Sequence, residues 1–165
     1  MDVYLVRHAV AHERNAARWP DDALRPLTGA GKRKFRKAAH GLGNCIPKSA
    51  RVLTSPFVRA RETADILVGA VGCRKPIDAR ELASGAATAK VFSLLRAHRR
   101  HAIVLVGHEP NISAWLSAAL GGEQTRLEIE FKKGGAACVR FDRAITPGRA
   151  TLVWMLPPRL LRSIR

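Results

Sequence analysis

Arg7 and His8 are the first neighbouring residues in the sequence whose side chains can do chemistry together. They follow Val3-Tyr4-Leu5-Val6, a short apolar run that is typical of a buried strand. A guanidinium binds anionic groups such as a phosphoryl group, and a neutral imidazole can attack one. Ligands of open α/β sheets bind outside the carboxyl ends of the strands, so this pair lies where a reaction site is expected.

Two later strand ends carry the same kinds of side chain. A strand is predicted over 51–54, and Arg59 follows it in the first turn of a predicted helix. The clearest buried strand covers 102–106 and is followed by Gly107 and His108. Because right-handed crossovers place successive parallel strands with their carboxyl ends at one edge, we expect two arginines and two histidines to meet there.

Such a group of residues is suited to phosphoryl transfer. Arginine forks match the oxygen atoms of a phosphate, and His8 as a neutral imidazole can form a covalent phosphohistidine. His108 can then donate a hydrogen bond to the equatorial oxygens in the transition state. The rate is expected to fall as His8 becomes protonated, near pH ~6.5 unless the pocket shifts its pKa.

The order of the predicted elements defines an α/β protein with a doubly wound, mostly parallel sheet. Helices are expected between the strands, beginning after Thr28, near Phe57, at Thr88 and at Pro110. Further strands are expected at 127–131, 136–141 and 151–156. With 165 residues and no internal repeat, the chain is predicted to form one domain over 1–165.

Composition limits the environment and the partners. The net charge of +16 favours anionic partners, although a solvated basic surface explains it equally well. The three cysteines, Cys45, Cys73 and Cys138, support neither a disulfide framework nor a CxxC metal site, which favours a reducing cytoplasm. No stretch has the length of a membrane span, and the first residues do not form a secretion signal.

Four motifs, in order along the chain, resemble the histidine phosphatase (phosphoglycerate-mutase-like) superfamily. They are Val-Arg-His-Ala at 6–9, Arg-Pro-Leu-Thr-Gly-Ala-Gly at 25–31, Thr-Ser-Pro-Phe-Val-Arg-Ala-Arg-Glu-Thr-Ala at 54–64, and Val-Gly-His-Glu-Pro at 106–110. The short chain most resembles the small SixA-type branch of phosphohistidine phosphatases.

The resemblance implies a three-layer α/β/α fold and a phosphatase that needs neither metal nor cofactor. It implies that His8 is the nucleophile and that Arg7, Arg59 and His108 form the phosphate pocket. Glu81 lies where the family often has its proton donor, so it would protonate the leaving group and then activate water. The implied substrate is phosphohistidine on a protein.

Two features differ from the family pattern or from its larger members. Ala9 stands where the family usually has Gly, which adds a methyl group beside the nucleophile, and we expect activity to survive this change. The chain also lacks long insertions that would cap the site, which implies an open site for a protein or another bulky substrate. Glu81 could instead be a loop carboxylate paired with Arg80 or Arg74.

Three other functions remain open from the sequence. The first is a phosphatase of small phosphoesters. The second is a metallohydrolase, in which a divalent ion would bind His8, His12 and His108 with Glu81 or Glu109. The third is a basic nucleic-acid-binding module without catalysis, although no aromatic platform or recognised motif accompanies the charge.

Overall fold

A computed structural model describes residues 1–98, 100–122 and 124–164 of the chain. Within these residues six strands form one sheet: β1 (Asp2–Arg7), β2 (Arg51–Thr54), β3 (Ile77–Asp78), β4 (Ala102–Gly107), β5 (Ala136–Phe141) and β6 (Ala150–Leu156). The helices are α1 (Gly29–Gly43), α2 (Val58–Val71), α3 (Thr88–His98), α4 (Asn111–Gly121) and the short α5 (Pro158–Leu161). Two 3-10 helices, Asp22–Leu24 and Arg80–Leu82, lie in the connections.

The strand order is β3-β2-β4-β1-β5-β6. The pairings β2–β3, β2–β4 and β1–β4 are parallel, whereas β1–β5 and β5–β6 are antiparallel. The prediction of an α/β fold with a mostly parallel sheet is therefore confirmed. β5 and β6 extend the sheet on the side of β1, which leaves β4 in the centre with a fully buried pattern.

Alternation along the strands produces the three layers. In β1, Tyr4 and Val6 face a core shared with α1, α2 and α5, whereas Val3 and Leu5 face a second core shared with α3 and α4. Successive side chains of a strand point to opposite faces, so one apolar strand can contribute to both cores. The helices thus cover both faces of the sheet, as the three-layer expectation requires.

Local sequence explains where the helix after the first loop begins. The Thr28 hydroxyl accepts a hydrogen bond from the Gly31 backbone N–H at 2.9 Å, which makes Thr28 the N-cap of α1. Gly31 is needed at this point because a Cβ there would lie 2.1 Å from the carbonyl oxygen of Val10. The close contact holds the start of α1 against the loop that follows β1.

The predicted strand at 127–131 is wrong. This segment is irregular, and its backbone bonds to α4 instead of to a strand: the Leu127 N–H donates to the Ser117 hydroxyl at 2.7 Å. The Ser113 hydroxyl in turn donates to the carbonyl of Ile129 at 3.2 Å. The alternating apolar residues that predicted a strand reflect one side of an irregular segment packed on a helix.

Candidate active site

The carboxyl ends of three neighbouring parallel strands form the site. β2 and β1 lie on either side of β4, with Arg7 opposite Gly107 and Thr54 opposite Val106 in the register. The His8 N–H donates to the Gly107 carbonyl at 3.0 Å, which carries the pairing one residue past the strand. The predicted convergence of the three strand ends at one edge of the sheet is therefore found in the structure.

His8 is held in a single orientation at the end of β1. Its side chain is 7% exposed, and its ring centroid lies 5.1 Å from that of His108. The ring Nδ1 lies 2.7 Å from the Ala9 carbonyl oxygen. A carbonyl only accepts hydrogen bonds, so Nδ1 must carry the proton, and the Nε2 lone pair of the neutral ring is free.

The surroundings of His8 keep its imidazole neutral. Burial lowers the pKa of His8 to about 4, and the positive charges of Arg59, Arg7 and Lys133 add to this effect against the opposing Ala9 hydrogen bond. At neutral pH the ring is therefore an uncharged base with a free lone pair. This is the form that can act as a nucleophile.

His108 follows β4, and its hydrogen-bonded ring nitrogen is Nε2, whereas that of His8 is Nδ1. It is 2% exposed, and its Nε2 lies 2.8 Å from the Ser55 hydroxyl oxygen. The Phe57 backbone N–H donates to that oxygen at 3.3 Å, and the Ser55 O–H can donate to Nε2 in the tautomer that carries its ring proton on Nδ1. Burial above all lowers the pKa of His108 to about 3, so its ring is uncharged at neutral pH.

Arg59 lies in the first turn of α2, as predicted, and is 3% exposed. Its guanidinium donates to the Asp22 carbonyl oxygen at 2.7 Å and forms an ion pair with the Asp22 carboxylate at 3.0 Å. The Phe57 ring supports it from the side, with 5.1 Å between the ring centroid and Cζ. Asp22 lies in an aperiodic stretch 37 residues earlier, so no sequence spacing points to this contact.

The buried donors that find no partner within the described residues are concentrated at this site. They are Arg7 Nε, Arg59 Nε and His108 Nδ1, together with Trp115 Nε1 in the neighbouring core. Arg7 also donates through another nitrogen to the Phe131 carbonyl at 2.5 Å. Buried polar groups are normally satisfied, so three such donors on predicted site residues indicate a site for an anion.

Ala9 is accommodated by the core beside the nucleophile. Its residue is 2% exposed and belongs to the core that α1 and α2 share. The Ala9 N–H donates to the Thr63 hydroxyl at 3.0 Å, and that hydroxyl donates to the Arg59 carbonyl at 2.7 Å. The Ala9 backbone thus connects His8 to the helix that carries Arg59, and its methyl group is buried in that core.

Glu81 lies on the 3-10 helix Arg80–Leu82 and is half-buried. Together with His108 it lines a cavity of about 20 Å³. In the described part of the chain Glu81 forms no salt bridge, including the alternatives with Arg80 and Arg74. Glu81 thus shares a cavity with His108, and the lining of that cavity does not include Arg7, His8 or Arg59.

The residues of the metal alternative do not form a group of three ligands in the described part of the chain. His12 packs against Trp19, with ring centroids 5.2 Å apart, while His8 packs against His108. Across residues 1–98, 100–122 and 124–164, no three His, Cys, Asp or Glu side chains are grouped as metal ligands. The same described residues contain no helix that is long and apolar enough to cross a membrane.

Comparison with known families agrees with the fold. The family model described as "Histidine phosphatase superfamily (branch 1)" matches residues 3–88, which include Arg7, His8, Arg59 and Glu81. An uncharacterized protein of Picosynechococcus sp. (strain PCC 7002) is 33% identical over 147 residues, which cover 87% of each chain. The chain belongs to the histidine phosphatase superfamily.

Solved structures place the chain more narrowly. The protein histidine phosphatase SixA in complex with tungstate superimposes with a TM-score of 0.82 at 25% identity, covering 98% of this chain and 99% of SixA. The putative SixA of Agrobacterium tumefaciens gives a TM-score of 0.75 at 27% identity, covering 95% and 97% of the two chains. The protein is a phosphatase of the SixA-type branch, a hydrolase of phosphate esters, which disfavours the non-catalytic nucleic-acid-binding module.

Proposed function

We propose that the protein removes the phosphoryl group from phosphohistidine on a protein through a covalent phosphohistidine at His8. The observation that carries this proposal is the pairing of a neutral, oriented imidazole with three buried and unpartnered donors. The donors belong to Arg7, Arg59 and His108. A nucleophile and an anion-binding group at one edge of the sheet are what phosphoryl transfer requires.

The phosphoryl group binds between the two arginines and His108. Arg7 and Arg59 each offer a buried Nε–H, and His108 offers the Nδ1–H that the Ser55 hydroxyl secures. All three donate to the non-bridging oxygens, whose charge must be stabilised in the transition state. SixA binds tungstate, an oxyanion with the shape of phosphate, which supports such a pocket in this branch.

In the first step His8 Nε2 attacks phosphorus in line with the leaving nitrogen of the substrate imidazole. A bond from phosphorus to His8 forms as the bond to the substrate nitrogen breaks, and that nitrogen takes a proton. We assign the proton to the Glu81 carboxyl group, which lines the same cavity as His108. The dephosphorylated histidine then leaves.

In the second step water attacks the phosphoryl group on His8. The Glu81 carboxylate, which gave its proton in the first step, takes one from this water, so the enzyme returns to its starting protonation state. The bond between phosphorus and His8 breaks, inorganic phosphate is released, and the neutral imidazole is regenerated. The same three donors stabilise both transition states.

Two observations support a protein substrate. SixA, whose match covers 99% of its chain, is described as a protein histidine phosphatase. The two SixA proteins match at nearly full length in both directions, so within the described residues no long insertion relative to them covers the site. An uncovered site can accept a phosphorylated side chain that projects from a folded protein.

The free thiols support a cytoplasmic location for this activity. Cys45, Cys73 and Cys138 are all unpaired, and burial raises the pKa of each thiol, to about 12 for Cys138. Proteins that remain in a reducing compartment commonly keep their cysteines in this form.

The catalytic part of the proposal is tested by His8→Ala, with His40→Ala on the exposed side of α1 as the matched control. We expect His8→Ala to abolish turnover and the control to retain it, with thermal unfolding used to confirm that both proteins fold. Substantial turnover by folded His8→Ala would contradict the assignment of the nucleophile.

The substrate part is tested by comparing kcat/KM for a phosphohistidine-bearing protein with that for p-nitrophenyl phosphate and for a phosphoserine peptide. We expect the phosphohistidine protein to be preferred by at least about 100-fold, over the phosphoserine peptide because a protonated nitrogen leaves more easily than an alkoxide, and over p-nitrophenyl phosphate because that small ester makes no protein contacts beyond the site. Equal or greater kcat/KM for the small esters would favour the alternative of a small-phosphoester phosphatase.

A further inference from the structure

Beside the active site lies a cluster of exposed basic side chains on α1, α5 and the turn before β5. We call it the basic surface, and its members are Arg33, Lys34, Lys37, Lys133, Arg159 and Arg162. None of the six forms a salt bridge with another residue that the structure describes. The sequence alone suggests simple solvation of the basic face of α1, but the fold adds basic residues from two distant segments.

Three clefts are lined by the basic surface, and two of them are also lined by a residue next to His8. Their volumes are about 390, 640 and 190 Å³, and Arg162 lines all three. Arg7 lines the second cleft, and Ala9 lines the third. The basic surface therefore shares one cleft with Arg7 and another with Ala9, the residues on either side of His8.

The turn that carries Lys133 is fixed to the nucleophile's own backbone. The Gly134 N–H lies 3.1 Å from the carbonyl oxygens of both Arg7 and His8. Gly134 has a φ of +76°, and a Cβ there would lie 3.3 Å from the Phe35 ring, so glycine suits this close approach. The positive charge of Lys133 acts on His8 and helps to lower its pKa, which agrees with this placement.

The lining of the three clefts selects for acidic groups. Its one carboxylate among the described residues is Glu130, which already pairs with Lys132. The aromatic residues that line the clefts, Phe35 and Phe131, are each 2% exposed and offer no face for a base to stack on. The bases of single-stranded nucleic acid commonly stack on exposed aromatic rings of the protein that binds them. The lining therefore favours an acidic polypeptide over a polynucleotide.

We propose that the basic surface binds an Asp- and Glu-rich segment next to the phosphorylated residue of the protein substrate. This inference rests on the proposed function and names the feature by which one phosphoprotein is chosen over another. The segment would lie across α1 and α5 while the phosphoryl group enters the site beside Arg7. Complementary charge of this kind raises the association rate and weakens as salt increases.

The test uses two phosphohistidine peptides of equal length, with glutamates or glutamines flanking the phosphorylated residue. The surface variant is Lys34→Gln/Arg159→Gln/Arg162→Gln. The control variant is Arg74→Gln/Lys75→Gln/Arg149→Gln. It removes the same charge from exposed residues just before β3 and β6, at the end of the sheet opposite to the carboxyl ends that form the site.

We expect wild type to prefer the glutamate peptide in kcat/KM by about ten-fold at low salt, from a few exposed ion pairs of modest strength. The surface variant should lose this preference, while the control variant and activity on p-nitrophenyl phosphate stay unchanged. The preference should also shrink as salt rises from about 50 mM to about 300 mM. Equal kcat/KM for both peptides in wild type, or equal losses in both variants, would overturn the proposal.

Binding measurements separate this proposal from the proposed function. Fluorescence anisotropy with unphosphorylated glutamate and glutamine peptides reports the basic surface without hydrolysis. Tighter binding of the glutamate peptide that is lost in the surface variant supports the proposal for the basic surface. If neither phosphopeptide is hydrolysed, the absence of hydrolysis overturns only the proposed function. The acidic-segment proposal would be overturned if both peptides bound equally. If a single-stranded DNA probe also bound with a strong salt dependence, and the surface variant abolished that binding, the basic surface would be assigned to nucleic acid.

Discussion

Acidification should leave the nucleophile active well below the usual titration range of histidine. Burial lowers the pKa of His8 from 6.5 to about 4. At pH ~5 about 90% of the free enzyme then has a neutral His8, compared with about 3% for an unperturbed histidine. The two cases differ by about 30-fold in the concentration of active enzyme at that pH, because only the neutral ring attacks.

The assay combines an NMR titration of the His8 imidazole in the free enzyme with kcat/KM for a stable small phosphate ester. The His8→Ala spectrum identifies the resonance, and the ester's own ionisation is measured separately by phosphorus NMR and divided out. We expect both the His8 resonance and the corrected acidic limb of kcat/KM to report a pKa near 4. A His8 resonance that titrates between about 6 and 7 would refute the argument from burial.

The same shift affects stability, and its sign follows from linkage. The unfolded chain binds a proton on His8 below about pH 6.5, whereas the folded protein does so only near 4, so the unfolded state gains protons first as pH falls. Stability is therefore complete above pH ~6.5 and is lost towards pH ~4, by roughly 3 kcal/mol for this group. Urea unfolding of wild type should show this additional loss relative to His8→Ala; identical pH dependence of the two proteins would contradict it.

Four further predictions concern the surroundings of the nucleophile. Asp22→Ala, which removes the carboxylate that pairs with Arg59 and keeps the backbone carbonyl that also accepts from it, should lower kcat/KM by about ten-fold, while the exposed control Asp142→Ala leaves it unchanged; equal effects in steady-state kinetics would count against positioning by the Asp22 carboxylate. Arg59→Lys should fail to restore full activity and leave kcat/KM about 100-fold below wild type, because a lysine cannot reproduce the fork; wild-type kinetics would contradict this. Ser55→Ala should lower kcat by about ten-fold with little change in KM and give a mixture of His108 tautomers by nitrogen NMR; an unchanged Nδ1–H tautomer would show that Ser55 does not secure it. Turnover should persist in excess EDTA, and its loss there with recovery on adding a divalent metal would support a metal-dependent reaction instead.

The sequence predicted the parts of the site that depend on strand order. Arg7, His8 and His108 come directly at the ends of apolar runs, and Arg59 follows another run by a few residues. Parallel pairing of three such strands is enough to bring these side chains to one edge, and the structure has that pairing. The three-layer fold follows for the same reason, since apolar strands alternate with amphipathic helices.

The contacts that orient these side chains were not predictable from spacing. Asp22 meets Arg59 because the loop after β1 folds back over the site, and aperiodic loops have no pattern from which their path can be read. Ser55 could be placed near the site, but its hydrogen bond to His108 depends on side-chain rotamers. The segment 127–131 alternates like a strand, yet its Leu127 N–H bonds to the Ser117 hydroxyl and its Ile129 carbonyl to the Ser113 hydroxyl.

The most direct test of the account is to trap the phosphoryl group on the enzyme. Wild type is mixed with phosphorus-labelled phosphohistidine protein, and the reaction is stopped within one turnover in alkaline denaturant. The protein is then digested, and the label is located by mass spectrometry. His8→Ala and His40→Ala are treated in parallel. We expect acid-labile, base-stable label on the peptide that contains His8, in wild type and His40→Ala but not in His8→Ala. Turnover by wild type with no label on His8 at any time, or with label on another residue, would contradict the covalent mechanism.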